Sequence, residues 1–416
     1  MLQAEPIPAA LSFPKDKIRI LLVENIHPAA RVEFERAGYT NVENITTALP
    51  QAEMMQKIND AHLIGIRSKT QLTTEVLAAA RRLLGIGAFC IGTDQIDLAT
   101  ATQQGIVAFN SPFSSTRSVA ELVIGAAIML SRAVPDKSTA AHRGLWLKSA
   151  TGAREVRGKM LGIIGYGRIG SQVGILAEAL NMQVQYIDII PKLQLGGAQP
   201  APTLQHLLQT SDIVTLHVPD DETTHHLIGP AELELMKPGT LLINYARGRV
   251  IDADAVAAAL RSRRLGGAAV DVFAHEPRGD GEPFINPLQN LPNVLLTPHI
   301  GGSTEEAQHS IGADVAQKLI HYLDRGVTQG SVTLPELNLP PQAGAHRLLH
   351  IHHNTPGVLS EINTRLAALG INIAAQYLKT NETIGYVVLD VEKGQTELAL
   401  EALKQVKQTI RARSLY

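Results

Sequence analysis

A chain of 416 residues is longer than one hydrophobic core usually supports, so two or three domains are expected. Apolar residues at 45% and charged residues at 18% describe an ordinary globular protein, and 37 basic against 39 acidic side chains exclude a global field that would recruit nucleic acid or an anionic membrane. The single cysteine, Cys90, excludes an internal disulfide, and no apolar run approaches the roughly 20 residues of a membrane span.

The first residues, "MLQAEPIPAALSFPKDK", carry Pro6, Pro8 and Pro14 where a signal peptide needs an uninterrupted apolar core, which predicts a cytoplasmic protein. From Lys17 to about Asn110, short apolar runs ("IRILLV", "HLIGIR", "LGIGAF", "IVAFN") alternate with segments of helical period. Such alternation predicts a parallel sheet covered by helices. A long helix is expected over residues 117–133. From Lys159 a second alternating block ("MLGIIG", "VQYID", "IVTLHV", "TLLINYA", "GGAAVDVF", "NVLLTPH") predicts a second open α/β sheet. Another long helix, 304–324, would carry the chain back to the first domain, making that domain discontinuous with a cleft between the two. The stretch "LPELNLPPQAG", 334–344, has three prolines and little periodicity and reads as a linker. Residues 347–416 then run strand, helix, strand, strand, helix, strand, the ferredoxin-like order βαββαβ.

Gly165-Tyr166-Gly167-Arg168-Ile169-Gly170 follows a predicted strand and opens a helix, the context that a dinucleotide fingerprint requires. Gly165 permits the tight turn, Gly167 lets a pyrophosphate approach the backbone, and Gly170 lets the helix lie close to its strand. The helix N-terminus offers unpaired N–H groups to phosphates. Taken alone, the pattern also suits a glycine-rich turn in a flavodoxin-like sheet. Asp188, closing the strand after that helix, adds the acceptor that a ribose 2′-hydroxyl needs and repels a 2′-phosphate, which favours NAD over NADP.

A second set of polar residues stands at strand ends: Arg247 after "LLINYA", Asp271 and Glu276 after "GGAAV", and His299 after "NVLLTP". Ligands of open parallel sheets bind beyond the carboxyl ends of the strands. Hydride transfer to a 2-keto acid needs a proton for the carbonyl oxygen and a cation for the carboxylate. His299 can supply the proton, Glu276 can fix its tautomer and raise its pKa, and Arg247 can grip a carboxylate in a two-point fork. Singly, Arg247 reads as well as a surface ion pair, Glu276 as a loop charge and His299 as a turn residue; three complementary groups at successive strand ends favour a site. Cys90 reads as an inert buried thiol. His350 and His352 share one face of a strand, but no nearby carboxylate or cysteine completes a metal set, so no metal is expected.

The stretches "GAFCIGTDQIDL", "NSPFSSTRSVAELVIG", "GKMLGIIGYGRIG", "LLINYARGRVID", "GAAVDVFAHEP", "LTPHIGGSTEEAQ", "HIHHNTPGVLSEIN" and "GINIAAQYL" cover nearly the whole chain after Lys17. Through them the chain closely resembles the D-isomer-specific 2-hydroxyacid dehydrogenase family, in the form that ends in an ACT domain. The resemblance implies two doubly wound parallel-sheet domains, a Rossmann-type NAD domain at 115–301 inserted in a flavodoxin-like substrate domain at 1–114 and 302–335. A linker at 336–344 and a ferredoxin-like ACT regulatory domain at 345–416 would follow. It implies NAD as cofactor and gives Arg247, Glu276 and His299 the catalytic places, with His299 as proton donor. Gly165, Gly167, Arg168, Ile169, Gly170, Asp188, Tyr245, Ala246, Arg247, Asp271, His299, Ile300, Gly301 and Gly302 would line the cofactor, Asp271 meeting the carboxamide.

On the substrate side the resemblance points to Arg67, Ser68, Cys90, Ile91, Gly92 and Arg247, with Arg67 and Lys69 offering charge to a phosphate. Trp146 and Lys148 resemble a segment that some relatives lend to a neighbouring subunit. His352, Asn354 and Asn372 fall where ACT domains bind a free amino acid; plain packing is the alternative role for that domain. The implied activity is NAD-dependent oxidation of 3-phospho-D-glycerate to 3-phosphohydroxypyruvate, the entry to serine, in a homo-oligomer, a tetramer, with L-serine as feedback effector. Where similar enzymes carry a basic residue after "AGYTN", "VENITTALP" has none, which leaves room for an unphosphorylated diacid such as 2-oxoglutarate. A reductase for another 2-keto acid and an NAD-sensing interaction module are the alternatives, and joint retention of Arg247, Glu276 and His299 speaks against the module.

Overall fold

A computed structural model of the chain describes residues 14–277, 281–340, 345–392 and 394–415. Residues 1–13 of the expected substrate domain, 341–344 of the expected linker, and Tyr416 lie outside the described residues. By internal packing the chain divides into two units, one that ends at Ser114 and resumes at Gln308, and one formed by Ser115–Ala307. By packing, the return begins at Gln308. Residues 302–307 stay with the second unit because Thr304 Oγ1 lies 2.8 Å from Ser118 Oγ and accepts from Ala307 N.

The first unit holds a five-stranded sheet of β1 (Ile20–Leu22), β2 (Val42–Asn44), β3 (Leu63–Ile66), β4 (Gly85–Ala88) and β5 (Val107–Asn110), all paired parallel in the order β2-β1-β3-β4-β5. That is the flavodoxin-like order. Because successive side chains point to opposite faces, Ile20 and Leu22 pack with Phe109 and the helix Glu305–Arg325. Leu21 and Val23 pack on the other face with the helices Gln51–Ile58 and Thr74–Ala79. Burial on both faces is why these strands read as apolar runs.

The second unit holds β6 (Met160–Ile164), β7 (Gln183–Ile187), β8 (Gln199–Pro200), β9 (Ile213–Leu216), β10 (Thr240–Asn244), β11 (Leu265–Val270) and β12 (Val294–Leu296). All pair parallel in the order β12-β11-β10-β9-β6-β7-β8, a doubly wound Rossmann-type sheet whose order reverses between β6 and β9. One face is covered by the helix Thr116–Ser131, through Val119, Val123, Ala127 and Leu130. The expected long helix stops there: Ala133, at φ 50°, turns the chain into a separate helix, Val134–His142. Among the described residues no single helix is long and apolar enough to cross a membrane; only this pair, bent by 71°, passes by length and composition.

The C-terminal part of the first unit is an antiparallel sheet of β13 (His346–His353), β14 (Ile373–Thr380), β15 (Ile384–Val391) and β16 (Thr409–Ser414) in the order β14-β15-β13-β16. The helices Val358–Ala368 and Thr396–Lys404 cover one face, against Leu348, Val387 and Leu389. The opposite face puts Leu349, Ile351, Tyr386, Val388 and Leu415 into one core with β1, β5 and the helix Glu305–Arg325. Polar ties reinforce this seam: Tyr386 Oη donates to Gly326 O, Arg413 to Tyr322 O, and Arg347, paired with Asp390, donates to Arg325 O and Pro340 O.

The strip expected as a linker is docked where it is described. Leu334 and Leu339 are buried in that core, and Leu337 N donates to Thr328 Oγ1. The prolines interrupt helical and strand periods, but the leucines between them supply apolar teeth that bury without either period.

Candidate active site

The glycine turn lies just past β6. Gly165 has φ 91°, a left-handed conformation that L side chains avoid, and a Cβ on it would run into the His217 carbonyl. A Cβ on Gly170 would strike the Gly165 carbonyl, so the helix Arg168–Ala179 sits against the turn only because residue 170 has none. A Cβ on Gly167 would meet nothing within 4 Å, leaving the backbone at the helix start open to a ligand. Asp188 follows β7, with its side chain 12% exposed, and accepts from Tyr166 N (2.9 Å) and Ile190 N (3.1 Å). The acid therefore stands beside the turn. Lys192, which sequence reasoning passed over, brings its ammonium to 3.7 Å from Asp188 Oδ1; the signal was its place four residues on. Open backbone, helix N-terminus and adjacent acid fit the phosphates and ribose of a dinucleotide.

The strand ends β10, β11 and β12 carry the second set. Asn244 fixes the Arg247 segment, donating to Arg247 O and accepting from Ala246 N, and Arg247 donates to Ala246 O at 2.8 Å. Glu276 accepts from Phe273 N (3.0 Å), and His299 Nδ1 lies 2.9 and 3.1 Å from its two carboxylate oxygens. A carboxylate only accepts, so the proton of the neutral ring sits on Nδ1 and Nε2 is the atom left to exchange one. The hydrogen bond that His299 Nδ1–H donates to Glu276 raises the His299 pKa against the opposing effect of burial. Burial pushes Glu276 up, but the hydrogen bond and charge of His299, the Phe273 amide and Arg247 together hold it below the ordinary value.

His299 itself has φ 55°, an uncommon backbone conformation for a non-glycine residue. Asp271, 2% exposed, holds the loop that carries it: Oδ1 accepts from Thr297 Oγ1 (2.6 Å) and Ile300 N (2.8 Å), and Oδ2 from Gly301 N (2.8 Å). The carboxylate is thus turned into the 297–301 loop, whose amides and hydroxyl take up both oxygens. Tyr245, beside Thr297 and Asp271, is buried, and burial pushes its hydroxyl pKa up to about 12.

In the first unit, Arg67 to Thr70 leave β3 and Cys90 to Gly92 follow β4. Gln95 Nε2 joins the two loops, 2.7 Å from Arg67 O and 3.3 Å from both Gly92 O and Cys90 Sγ, and Asn110 Nδ2 donates to Ile91 O. Glu24, at the end of β1, accepts from the amides of Arg67, Lys69 and Thr70. The structure therefore joins the expected substrate loops through Gln95 and braces the first of them through Glu24, neither of which the sequence reading singled out, because nothing in a local pattern marks a residue bonded to Arg67 from 28 or 43 positions away. Among the described residues no group of three or more His, Cys, Asp or Glu side chains could hold a metal ion.

Residues 124–301 match the model of the D-isomer specific 2-hydroxyacid dehydrogenase NAD binding domain, and residues 348–411 that of the AHAS small subunit-like ACT domain. The chain is 53% identical to the D-3-phosphoglycerate dehydrogenase of Escherichia coli (strain K12) over 98% of its own length and 100% of that protein. This chain belongs to the D-isomer-specific 2-hydroxyacid dehydrogenases. It is an NAD-dependent oxidoreductase of that family. The D-3-phosphoglycerate dehydrogenase of Dictyostelium discoideum is 48% identical over 97% of this chain and 99% of its own. Among solved structures, D-lactate dehydrogenase from Aquifex aeolicus complexed with NAD and lactic acid superposes with a TM-score of 0.64 at 29% identity, covering 73% of this chain and 95% of that one.

The ACT domain of this family member does not assemble its expected effector residues within one chain. His352 is buried and stacks on His350, with ring centroids 5.1 Å apart. Asn354 is exposed at the start of β15, its N–H donating to Thr383 O and its side chain to Asn381 O. Asn372 is exposed at the other end, where it donates to Glu392. Eight residues of strand, roughly 25 Å, separate the two asparagines.

Proposed function

We propose that the chain oxidises 3-phospho-D-glycerate to 3-phosphohydroxypyruvate and that L-serine is its effector. The His299–Glu276 pair at the mouth of a dinucleotide-binding sheet carries this reading. Bound NAD supplies the acceptor for the hydride leaving C2. His299 Nε2 removes the proton of the C2 hydroxyl, and Glu276, accepting from Nδ1–H, stabilises the imidazolium that results. Arg247 holds the substrate carboxylate in a fork and so fixes which face of C2 is presented. In the first unit, Arg67, Ser68 and Lys69 take the phosphate, Gly92 allows the backbone close to the carboxylate, and the Asp188 carboxylate accepts from the cofactor ribose.

A second substrate is favoured by one observation. The loop 45–49 after β2, tied to the β1 end through Glu24 N and Thr47 O, carries no basic side chain, so the anion site has fewer cations than a phosphate dianion ordinarily attracts. We therefore include 2-oxoglutarate reduction to 2-hydroxyglutarate in the reading. Absorbance at 340 nm with 3-phosphoglycerate, 2-hydroxyglutarate and D-lactate tests it. Turnover of 3-phosphoglycerate and 2-hydroxyglutarate but not lactate is expected, and turnover of lactate alone would overturn it.

The regulatory part of the reading is a cytoplasmic homo-oligomer, a tetramer, in which Asn354 of one copy meets Asn372 of another across a two-fold axis that pairs the β14 edges. The separation of the two asparagines within one chain supports a site shared between copies. Trp146, 85% exposed between exposed Leu145 and Leu147, supports a second contact. Millimolar L-serine should inhibit the intact enzyme and leave Asn354→Ala unaffected; equal inhibition of both would remove this site.

A further inference from the structure

The geometry points to Glu24 as a positioning residue that sets the anion-binding loop 67–70, so that recognition there runs through side chains and not through backbone amides. The inference rests on the reading of that loop as part of the substrate site.

Glu24 and Asn25 are consecutive non-glycine residues at φ 66° and 50°. Left-handed backbone is costly for such residues and persists only where surrounding contacts impose it. The turn redirects Glu24 under the loop that leaves β3. Its carboxylate, in a residue 7% exposed, accepts from Thr70 N at 2.7 Å, Lys69 N at 2.9 Å and Arg67 N at 3.2 Å. Of the four amides in the loop, only that of Ser68 is not given to Glu24. A run of amides after a strand would ordinarily form a concave cradle for an anion; here a protein carboxylate fills the cradle from behind. Ser68 and Lys69 are exposed and Arg67 half-buried, so the charged side chains are what the loop presents. Gln95 clamps the same loop from the Arg67 carbonyl.

Two consequences follow from charge. Glu24 holds the loop by three bonds to an ionised group, each stronger than a neutral pair. An amide in its place keeps the size but offers one accepting oxygen and turns an NH₂ toward the remaining N–H donors. The loop then loses its fixed conformation while the sheet beneath, packed by Leu21, Val23 and Ile64, is untouched.

The experiment is a cycle of Glu24→Gln and Arg67→Ala, with steady-state kinetics on 3-phosphoglycerate, NADH binding by fluorescence, and thermal melting. Glu24→Gln should raise KM about tenfold, the scale of a lost bond to a charged group, with kcat within twofold and NADH affinity unchanged. In the Arg67→Ala background, Glu24→Gln should add less than twofold, because the cation it positions is gone. Independent, multiplicative effects, or an unchanged KM in Glu24→Gln, would overturn the role. If Glu24→Gln proves unfolded by its melt, Gln95→Leu tests the clamp from the other side, with the same KM-only change and the same non-additivity expected and its absence counting against it. An unchanged KM in Arg67→Ala alone would instead remove the substrate reading of the loop, so the two failures are distinguishable.

Discussion

His299 and Glu276 share a proton-accepting geometry that sets a pH dependence. If His299 donates the proton in keto-acid reduction, as proposed, it must be protonated, and its pKa, raised first by the Glu276 hydrogen bond, keeps that form populated above its ordinary 6.5. kcat/KM for reduction should therefore fall only as pH rises through that raised value and not at the ordinary one. In Glu276→Gln the falling limb should move to lower pH, and an unmoved limb would show that Glu276 does not tune His299. Asp188 gives a second prediction, sharpened by Lys192. Asp188→Ala removes the proposed ribose acceptor and frees an ammonium now 3.7 Å away, so the preference for NAD over NADP should narrow about tenfold or more in kcat/KM; adding Lys192→Ala should restore part of it. An unchanged cofactor ratio in Asp188→Ala would place Asp188 away from the ribose. Arg247, Glu276, His299 and Asp188 stand out in the sequence because each lies within a few residues of the end of a strand whose apolar run is unmistakable. Glu24, Gln95 and the inward turn of Asp271 were hidden, since they depend on which loop amides a carboxylate or amide finds in three dimensions.

At the level of elements, the packing of the helix Arg168–Ala179 on its turn depends on one missing Cβ. Gly170→Ala should push the helix N-terminus off the Gly165 carbonyl and reduce NADH affinity at least tenfold, with a smaller loss in melting temperature, because the adjoining apolar residues Val173 and Ala177 remain in their core. Near-normal NADH binding by that variant would mean the helix start contributes little to phosphate binding. The same elements show what periodicity does and does not reveal. Both parallel sheets and the βαββαβ order follow from alternating apolar runs and helical segments. The helix read over 117–133 ends at Ser131, close to where it is expected, whereas the separate helix Val134–His142 was not read, because Pro135 and the left-handed Ala133 disguise its start. The burial of Leu334 and Leu339 in the strip read as a linker was not legible, because these leucines bury without helical or strand period.

At the scale of the whole molecule, the central strand β13 of the C-terminal sheet is packed on both faces, and two of its histidines, His350 and His352, are buried with it. Burial lowers the pKa of His350 to about 3 and that of His352 below its ordinary value. Between about pH 6.5 and 3 the unfolded chain takes up protons that the folded one refuses, so stability falls as pH drops through that window, and above it these residues contribute nothing. Melting temperature measured against pH should show the loss, and His350→Gln, which keeps a polar group for Thr409, should flatten it. A chain ending at Leu339 strips Leu349, Tyr386 and Leu415 from the core they share with β1, β5 and the helix Glu305–Arg325, so it should melt several degrees lower and bind an apolar dye. A truncated chain as stable as the intact one would show that the seam contributes little.

That shared core has a consequence in time. It joins Ile20 and Leu22 in the first strand, the helix after the inserted unit, and Leu415 at the far end of the chain. A ribosome adding about 5 to 20 residues per second has therefore released the complete sequence of Ser115–Ala307 roughly 10 to 40 seconds after β5, before the helix that covers the first sheet exists, and Leu415 later still. The insertion has all of its own strands first, while one apolar face of the earliest strands stays uncovered, and the order of completion in the cell runs from the middle of the chain outward.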